Sequence, residues 1–146
     1  MISPPPSKNR DLCVLLDSNF LLVPILFGVD IFEEIPKIVE RRVRFILLKP
    51  VHEEMERLAK EGRPKVKREM ISALKICRDR CQVTEFRALG EEAVDELVIR
   101  AAEEFGYPVA TNDAALRRRL RERGIPVIYL RQRSRLKIEG WIPNLN

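Results

Sequence analysis

Four acidic residues of the sequence occupy positions that a folded chain could bring together: Asp17, Glu54, Asp95 and Asp113. Asp17 directly follows the apolar run Leu12–Leu16, and Asp113 follows a shorter apolar run that ends at Ala110. In an open parallel sheet, ligands bind outside the carboxyl ends of the strands. The spacing therefore predicts that these two acids meet at one edge of a sheet.

Helix geometry separates the other two acids from their acidic neighbours. Successive residues of a helix turn by about 100° around its axis. In the segment after Pro50, this places Glu54 at the margin of the apolar face and Glu53 nearly opposite. In the later helix, whose core face begins at Val94, it places Asp95 at the margin and Glu96 in solvent. Glu54 and Asp95 are therefore the acids expected between the core and a cleft.

Carboxylates that converge without a basic partner repel one another, and either proton uptake or a divalent cation relieves the repulsion. Hard oxygen ligands suit Mg²⁺ or Mn²⁺ better than zinc. Such an ion lowers the pKa of a bound water and offsets charge during phosphodiester hydrolysis. No Ser, Cys or His nucleophile arrangement competes with this chemistry. Singly, each acid has a structural alternative, as a helix cap for Asp17 and Asp113 or as an amphipathic-margin acid for Glu54 and Asp95.

Composition indicates one compact globular domain that attracts polyanions. The 146 residues are 45% hydrophobic and 34% charged, and the formal net charge is +5. A basic chain of this kind favours nucleic acid as its partner. The arginines crowd the last third of the sequence, where a solvated face is the alternative interpretation. The residues predicted to contact nucleic acid are Arg117, Arg118, Arg121, Arg131 and Arg133.

Neither cysteine chemistry nor a membrane accounts for the sequence. Three cysteines without a CxxC pair predict no disulfide framework and no zinc site, and they favour a reducing, cytoplasmic setting. The apolar stretch from Leu12 to Val29 is interrupted by Asp17 and Pro24, so we expect neither a signal peptide nor a membrane span. We expect Trp141 to pack the tail onto the domain.

Short apolar runs alternate with helical patterns along the chain, which predicts an α/β fold. We expect a flexible proline-rich arm over 1–11, a domain over 12–130 and a basic C-terminal extension over 131–146. The predicted strands are Leu12–Leu16, Arg44–Leu48, Gln82–Phe86, Tyr107–Ala110 and Pro126–Leu130. The predicted helices are Val29–Glu40, Val51–Lys60, Val66–Asp79, Glu91–Phe105 and Ala114–Arg123. The alternation predicts a doubly wound, mainly parallel sheet of about five strands flanked by helices.

Four segments, taken in order, resemble the acidic motifs of PIN-domain nucleases. They are Leu15-Leu16-Asp17-Ser18-Asn19-Phe20, Pro50-Val51-His52-Glu53-Glu54-Met55, Val94-Asp95-Glu96-Leu97-Val98 and Val109-Ala110-Thr111-Asn112-Asp113. The resemblance covers about Leu12 to Leu130. It implies a central parallel sheet, a Mg²⁺ or Mn²⁺ requirement, an RNA substrate and frequent homodimers.

The resemblance also implies roles for particular residues. It makes Asp17, Glu54, Asp95 and Asp113 the metal-binding acids, and Ser18, Thr111 and Asn112 supporting hydrogen-bonders. The stretch from Tyr107 to Leu130 looks most like the archaeal and eukaryotic branch associated with ribosomal RNA processing. That branch often has two adjacent acids in its third motif, where this chain has Val94 before Asp95.

Other functions have weaker support from the sequence. A haloacid-dehalogenase phosphatase needs a second Asp where this chain has Asn19. A dinucleotide-binding protein needs a glycine-rich turn, but no glycine stands between Asp17 and Pro24, so no nucleotide cofactor is expected. Two alternatives stay open. One is the toxin of a toxin–antitoxin pair, and the other is an RNA-binding scaffold with the PIN shape but no catalysis.

Overall fold

A computed structural model describes residues 11–143. The predicted proline-rich arm therefore lies outside the described residues, apart from Asp11. The described part contains one sheet whose six strands are β1 (Leu12–Leu16), β2 (Val43–Leu48), β3 (Gln82–Thr84), β4 (Val109–Ala110), β5 (Val127–Arg131) and β6 (Arg135–Glu139). All neighbouring strands pair in parallel except β5 and β6, which form an antiparallel hairpin. The predicted α/β fold with a mainly parallel sheet is confirmed.

Helices connect the parallel strands. They are α1 (Val23–Phe27), α2 (Ile31–Val39), α3 (Lys49–Glu61), α4 (Pro64–Arg80), α5 (Val94–Phe105) and α6 (Ala114–Glu122), with a 3₁₀ helix over Ser18–Leu22. Gly106 ends α5 with a φ of 73°, a left-handed conformation that glycine adopts without steric cost. This cap turns the chain directly from α5 toward β4.

The strand order β3-β2-β1-β4-β5-β6 places the first strand in the middle of the sheet. The chain builds outward from β1 through β2 to β3, then crosses back and builds the other half from β4. The carboxyl ends of β1 and β4 are therefore neighbours at the point where the order reverses. Crevices that bind ligands in open α/β sheets lie at such a reversal, and Asp17 and Asp113 follow these two strands.

The buried core explains why the strands form where they do. Residues Phe45–Leu48 of β2 are buried without interruption, as expected of a strand covered on both faces. In α3 and α5, the predicted core residues Met55 and Leu97 are buried. The apolar faces from which Glu54 and Asp95 were predicted to lie at the margin are therefore the faces that the folded protein buries.

Three details differ from the sequence predictions. Residues 135–139 of the predicted C-terminal extension form the sixth strand, against about five predicted. Val94, assigned to the core face of α5, is exposed, because it is the first residue of the helix and projects beyond the packed turns. Trp141 is 77% exposed and does not bury its ring in the domain, so that prediction is wrong. Between residues 11 and 143, no helix has the length and apolar character needed to cross a membrane.

Candidate active site

Asp17 and Thr111 form the centre of the candidate site. The buried Thr111 hydroxyl donates a 2.7 Å hydrogen bond to Oδ2 of Asp17, and the Ser18 backbone N–H donates to Oδ1 at 2.9 Å. The Thr111 oxygen also accepts a 3.0 Å hydrogen bond from the Asp113 backbone N–H. One threonine thus holds the loop after β1 to the loop after β4. Asp17 is 6% exposed, and each of its carboxylate oxygens accepts a hydrogen bond.

Asp113 has a structural role as well as a place in the site. Its Oδ1 accepts a 3.0 Å hydrogen bond from the Leu116 backbone N–H, which makes it the N-cap of α6. Capping engages one carboxylate oxygen. The alternative role predicted for Asp113, as a helix cap, is therefore confirmed. Asp113 also follows β4, next to β1 and Asp17 at the reversal of the strand order.

Burial is the main cause of the raised pKa of Asp17, and the negative charges of Asp95 and Asp113 raise it further. The hydrogen bonds from Thr111 and Ser18 act in the opposite direction, because they stabilise the charged form. Burial likewise raises the pKa of Asp95, and the charge of Asp113 adds to that effect. Three aspartates from three different segments thus lie within electrostatic range of one another.

None of these three aspartates forms an ion pair with a described residue. The positive charge of Arg119 acts to lower the pKa of Asp95, but the Arg119 guanidinium forms its ion pair with Glu96, at 2.7 Å. Three carboxylates within electrostatic range of one another and without a partner cation are an unfavourable arrangement that a bound cation relieves.

Glu54 is not among the charges that shift the pKa of Asp17 or of Asp95. Its carboxylate accepts two hydrogen bonds from Arg57, at 3.1 and 2.6 Å, across one turn of α3. The hydrogen bonds from Arg57 lower the pKa of Glu54. The structure thus brings together three of the four predicted acids, while the fourth is held by a basic neighbour on its own helix.

The donor chemistry of the site fits a hard divalent cation. Asp17, Asp95 and Asp113 offer only carboxylate oxygens, which Mg²⁺ and Mn²⁺ prefer. Within residues 11–143, no three His, Cys, Asp or Glu side chains lie close enough to hold an ion jointly. Mg²⁺ usually keeps several waters and binds through one or two carboxylates. Asp17 and one neighbouring aspartate would therefore suffice as its protein ligands.

Asn19 is a residue of the site that sequence reasoning missed. Its side-chain oxygen accepts a 3.3 Å hydrogen bond from the Asn112 backbone N–H, and the Asn112 side chain in turn accepts one from the Leu130 backbone N–H at 2.9 Å. These bonds join the ends of β1, β4 and β5. The supporting role predicted for Asn112 thus has a structural basis, whereas Ser18 contributes its backbone N–H. Asn19 stands two residues after Asp17, and only this spacing hinted at its role.

The predicted nucleic-acid contacts fall into two groups. Arg117 stacks on the Tyr129 ring at 4.1 Å, and Arg121 donates to the Ile125 carbonyl at 2.9 Å, so both have structural partners. The other three predicted contacts, Arg118, Arg131 and Arg133, are exposed and form no ion pair with a described carboxylate.

A doubly wound α/β domain with acids at its strand-order reversal is the class that fold and site define. A family model described as a PIN like domain matches residues 14–133, and the chain belongs to this PIN-domain family. The chain is 32% identical to "Ribonuclease VapC9" of Archaeoglobus fulgidus over 90% of its own length and 93% of the relative's. It is 28% identical to "Ribonuclease VapC4" of Methanocaldococcus jannaschii, over 88% and 98% of the two lengths.

Among solved structures, the fold matches that of the PIN domain endonuclease Utp24 with a TM-score of 0.74 and 23% sequence identity. This match covers 92% of the chain and 96% of the Utp24 chain. At this level of identity, the likeness concerns the fold. The two curated relatives are ribonucleases by name, and each is covered along almost its whole length.

Proposed function

We propose that the protein is a Mg²⁺- or Mn²⁺-dependent endoribonuclease that hydrolyses RNA phosphodiesters at the edge formed by Asp17, Asp95 and Asp113. The observation that carries the proposal is the grouping of these three unpaired aspartates at the strand-order reversal of a basic protein. The names of the two VapC relatives support the same chemistry.

Each side chain has a distinct part in this proposal. Asp17 is the principal ligand, because the hydrogen bonds from Thr111 and Ser18 hold its carboxylate in place. Asp95 and Asp113 add negative charge beside it. A divalent ion bound here supplies a water of lowered pKa and offsets charge on the phosphate. Glu54 joins the ligand set only after its carboxylate leaves Arg57.

The basic surface beside the site supports RNA as the substrate. Arg118 lies on α6, the helix that Asp113 caps, so RNA phosphates held by this helix lie close to the carboxylates. A large folded RNA, as in ribosomal RNA processing, suits the additional basic residues near the C-terminus. The toxin alternative draws support from the two VapC relatives. An antitoxin gene beside this one would favour it.

Two further predictions accompany this function. A cytoplasmic location agrees with RNA as substrate and with the three free cysteines. Homodimer formation is implied by the family, and light scattering of the purified protein tests it.

The experiment that tests the function compares wild type with Asp17→Asn on a mixed set of RNAs. Cleavage should require Mg²⁺ or Mn²⁺, stop with EDTA, and fall by more than about 100-fold in the variant, as expected when several kcal/mol of metal-assisted catalysis are lost. Binding of RNA without cleavage by the wild type, under every metal condition, would support the scaffold alternative instead.

A further inference from the structure

The β5–β6 hairpin carries basic side chains that the fold itself leaves unpaired. Arg131 and Arg135 lie directly opposite one another in the antiparallel register, and Lys137 lies opposite Tyr129. Arg133 occupies the turn between the strands. None of the four basic residues forms an ion pair with a carboxylate between residues 11 and 143. Elsewhere, arginines such as Arg57, Arg100 and Arg123 pair with glutamates.

This arrangement is unfavourable for the stability of the hairpin. Like charges directly opposite one another on a sheet are destabilising. The turn adds to the cost, because Gln132 and Arg133 have φ values of 53° and 63°. Turns with two left-handed central residues favour Asn and Gly, and other side chains are sterically strained there. Folding alone does not account for these residues, whereas a bound polyanion would offset the repulsion between Arg131 and Arg135.

The hairpin begins at the edge that holds the aspartates. Strand β5 runs parallel to β4, so its carboxyl end points in the same direction as the ends that precede Asp17 and Asp113. The Leu130 backbone N–H is bound to Asn112, next to Asp113 in the chain. The turn residues 132–134 follow Leu130 by two to four residues, so the turn lies at this same end of β5. The basic tip thus stands beside the site rather than at the opposite edge of the sheet.

The chemistry of the hairpin fits phosphates rather than bases. Tyr129 is the one aromatic ring of the hairpin strands, and Arg117 covers it at 4.1 Å. One face of the ring is therefore occupied by a guanidinium, whereas Arg131, Arg133 and Arg135 are exposed. Exposed guanidinium groups bind phosphate oxygens, often with two hydrogen bonds each. Contacts of this type position a nucleic acid without reading its sequence.

We propose that the tip of the β5–β6 hairpin, formed by Arg131, Arg133 and Arg135, is a second RNA-binding surface that holds the phosphates of a segment outside the cleaved one. This inference rests on the proposed function and narrows its substrate class. The preferred substrates are RNAs long enough to reach from the aspartates to the hairpin tip. Short single strands reach only the aspartates and α6.

The test compares two triple variants that remove the same charge. The hairpin variant is Arg131→Gln, Arg133→Gln and Arg135→Gln. The control variant is Lys65→Gln, Lys67→Gln and Arg68→Gln, at the start of α4, where all three side chains are exposed and without an ion pair to a described residue. Helix α3 separates this point from the aspartate edge by 13 residues. Circular dichroism and thermal unfolding establish that both variants fold.

Binding is measured in EDTA at several salt concentrations, with one short single-stranded RNA and one long stem–loop RNA. For the long RNA, the hairpin variant should lower the slope of log affinity against log salt by roughly 2, since each single-strand phosphate contact contributes about 0.7. For the short RNA, whose phosphates do not reach the hairpin tip, the slope should change by less than the value of one contact, about 0.7. The control variant should keep the wild-type slope for both RNAs.

Two results would overturn the inference. One is an equal decrease of the slope for the short and the long RNA. That result would mean that the hairpin contributes only general electrostatic attraction. The other is a hairpin variant that binds both RNAs as the wild type does but no longer binds fluorescent polyglutamate. That result would mean that the hairpin binds an acidic protein segment. The nuclease proposal fails separately, if the wild type binds the long RNA through the hairpin but cleaves neither RNA with any divalent metal.

Discussion

The hydroxyl of Thr111 lies 2.7 Å from Oδ2 of Asp17, and this hydrogen bond joins the carboxyl ends of β1 and β4 across 94 residues of sequence. Both side chains are buried, so water does not replace the bond. Because the same hydroxyl oxygen accepts from the Asp113 backbone N–H, one small side chain fixes the relative positions of two candidate metal ligands.

Replacement of Thr111 by valine should therefore impair both stability and catalysis. Thr111→Val leaves Asp17 Oδ2 and the Asp113 N–H without their partner, which should cost roughly 1 to 3 kcal/mol of the free energy of unfolding. Loss of a residue that orients a metal ligand typically lowers metal affinity or activity about 10- to 100-fold. The pKa of Asp17 should rise, so the activity should reach its plateau at a higher pH. Urea unfolding and a pH profile of RNA cleavage measure these effects.

Thr84→Val is the matched control for this variant. The Thr84 hydroxyl is buried and has no hydrogen-bond partner between residues 11 and 143. Its replacement by an apolar group of the same shape should be neutral or slightly stabilising, and the cleavage rate should stay at the wild-type value. Equal effects of the two substitutions would mean that the Thr111–Asp17 bond has no special role.

The second prediction is that, without a divalent metal, the negative charge of Asp17 lowers the free energy of unfolding. Because the pKa of Asp17 is raised in the folded protein, the native state retains its proton at pH values where the unfolded chain has lost it. The free energy of unfolding therefore falls as the pH rises between the unfolded and the folded pKa. In EDTA, Asp17→Asn should be more stable than the wild type above this window, by on the order of 1 kcal/mol. The difference should shrink as the pH falls below it.

Thermal unfolding over a range of pH measures the difference, and the exposed Asp79→Asn serves as the control. Addition of Mg²⁺ should stabilise the wild type and the Asp79 variant, since a ligand that binds the native state raises its stability. It should leave the Asp17 variant unchanged. An Asp17→Asn protein that is less stable than wild type in EDTA at neutral pH would contradict the raised pKa.

The third prediction separates acids that are adjacent in sequence. Asp95→Asn should reduce cleavage far more than Glu96→Gln, because Asp95 is coupled to Asp17 whereas Glu96 faces outward and pairs with Arg119. Loss of that exposed pair should cost less than about 1 kcal/mol of stability. Initial rates on one RNA, with metal concentration varied, give the comparison. Equal losses would show that α5 does not present Asp95 to the site.

The fourth prediction concerns α3 and tests whether Glu54 binds the metal. If Glu54 leaves Arg57 to bind the metal, Glu54→Gln should lower activity more than Glu53→Gln, and Arg57→Met should raise metal affinity by freeing the carboxylate. The metal concentration at half-maximal rate is the measurement. An unchanged value in Arg57→Met, with full activity in Glu54→Gln, would restrict the site to the three aspartates.

Local patterns predicted much of the fold and the three aspartates that the structure brings within electrostatic range of one another. The apolar run before Asp17 is short and continuous, which suits a strand buried on both faces, and strand ends share an edge in any parallel sheet. Helix phase placed Asp95 between the core and the cleft. It failed for Val94, because phase does not say whether the first residue of a helix reaches the packed part of the domain.

The sequence does not predict which of two possible partners a charged side chain contacts in the folded protein. Glu54 and Arg57 are three residues apart on a helix, a spacing that allows an ion pair, yet the sequence does not say whether the carboxylate prefers this arginine or the cleft. The contacts of Asn19 with Asn112 and of Thr111 with Asp17 join residues more than 90 positions apart. Such contacts depend on how the strands are ordered in the sheet.

The last prediction concerns the arginines of α6. Arg117 is engaged by Tyr129 and by Glu139, whereas Arg118 is exposed and has no ion pair with a described residue. Arg118 follows Asp113 by five residues, which is about 7 Å along the helix axis. We therefore expect its guanidinium to bind an RNA phosphate near the aspartates.

Arg118→Gln should therefore lower the slope of log RNA affinity against log salt by roughly 0.7, the value for one single-strand phosphate contact. Arg117→Gln should leave the slope nearly unchanged and instead lower stability by about 0.5 to 1 kcal/mol, through loss of its contact with the Tyr129 ring. Titration of a fluorescent RNA in EDTA, at several salt concentrations, and thermal unfolding separate the two effects. A larger change of slope in Arg117→Gln than in Arg118→Gln would mean that RNA displaces Tyr129 and Glu139 from Arg117.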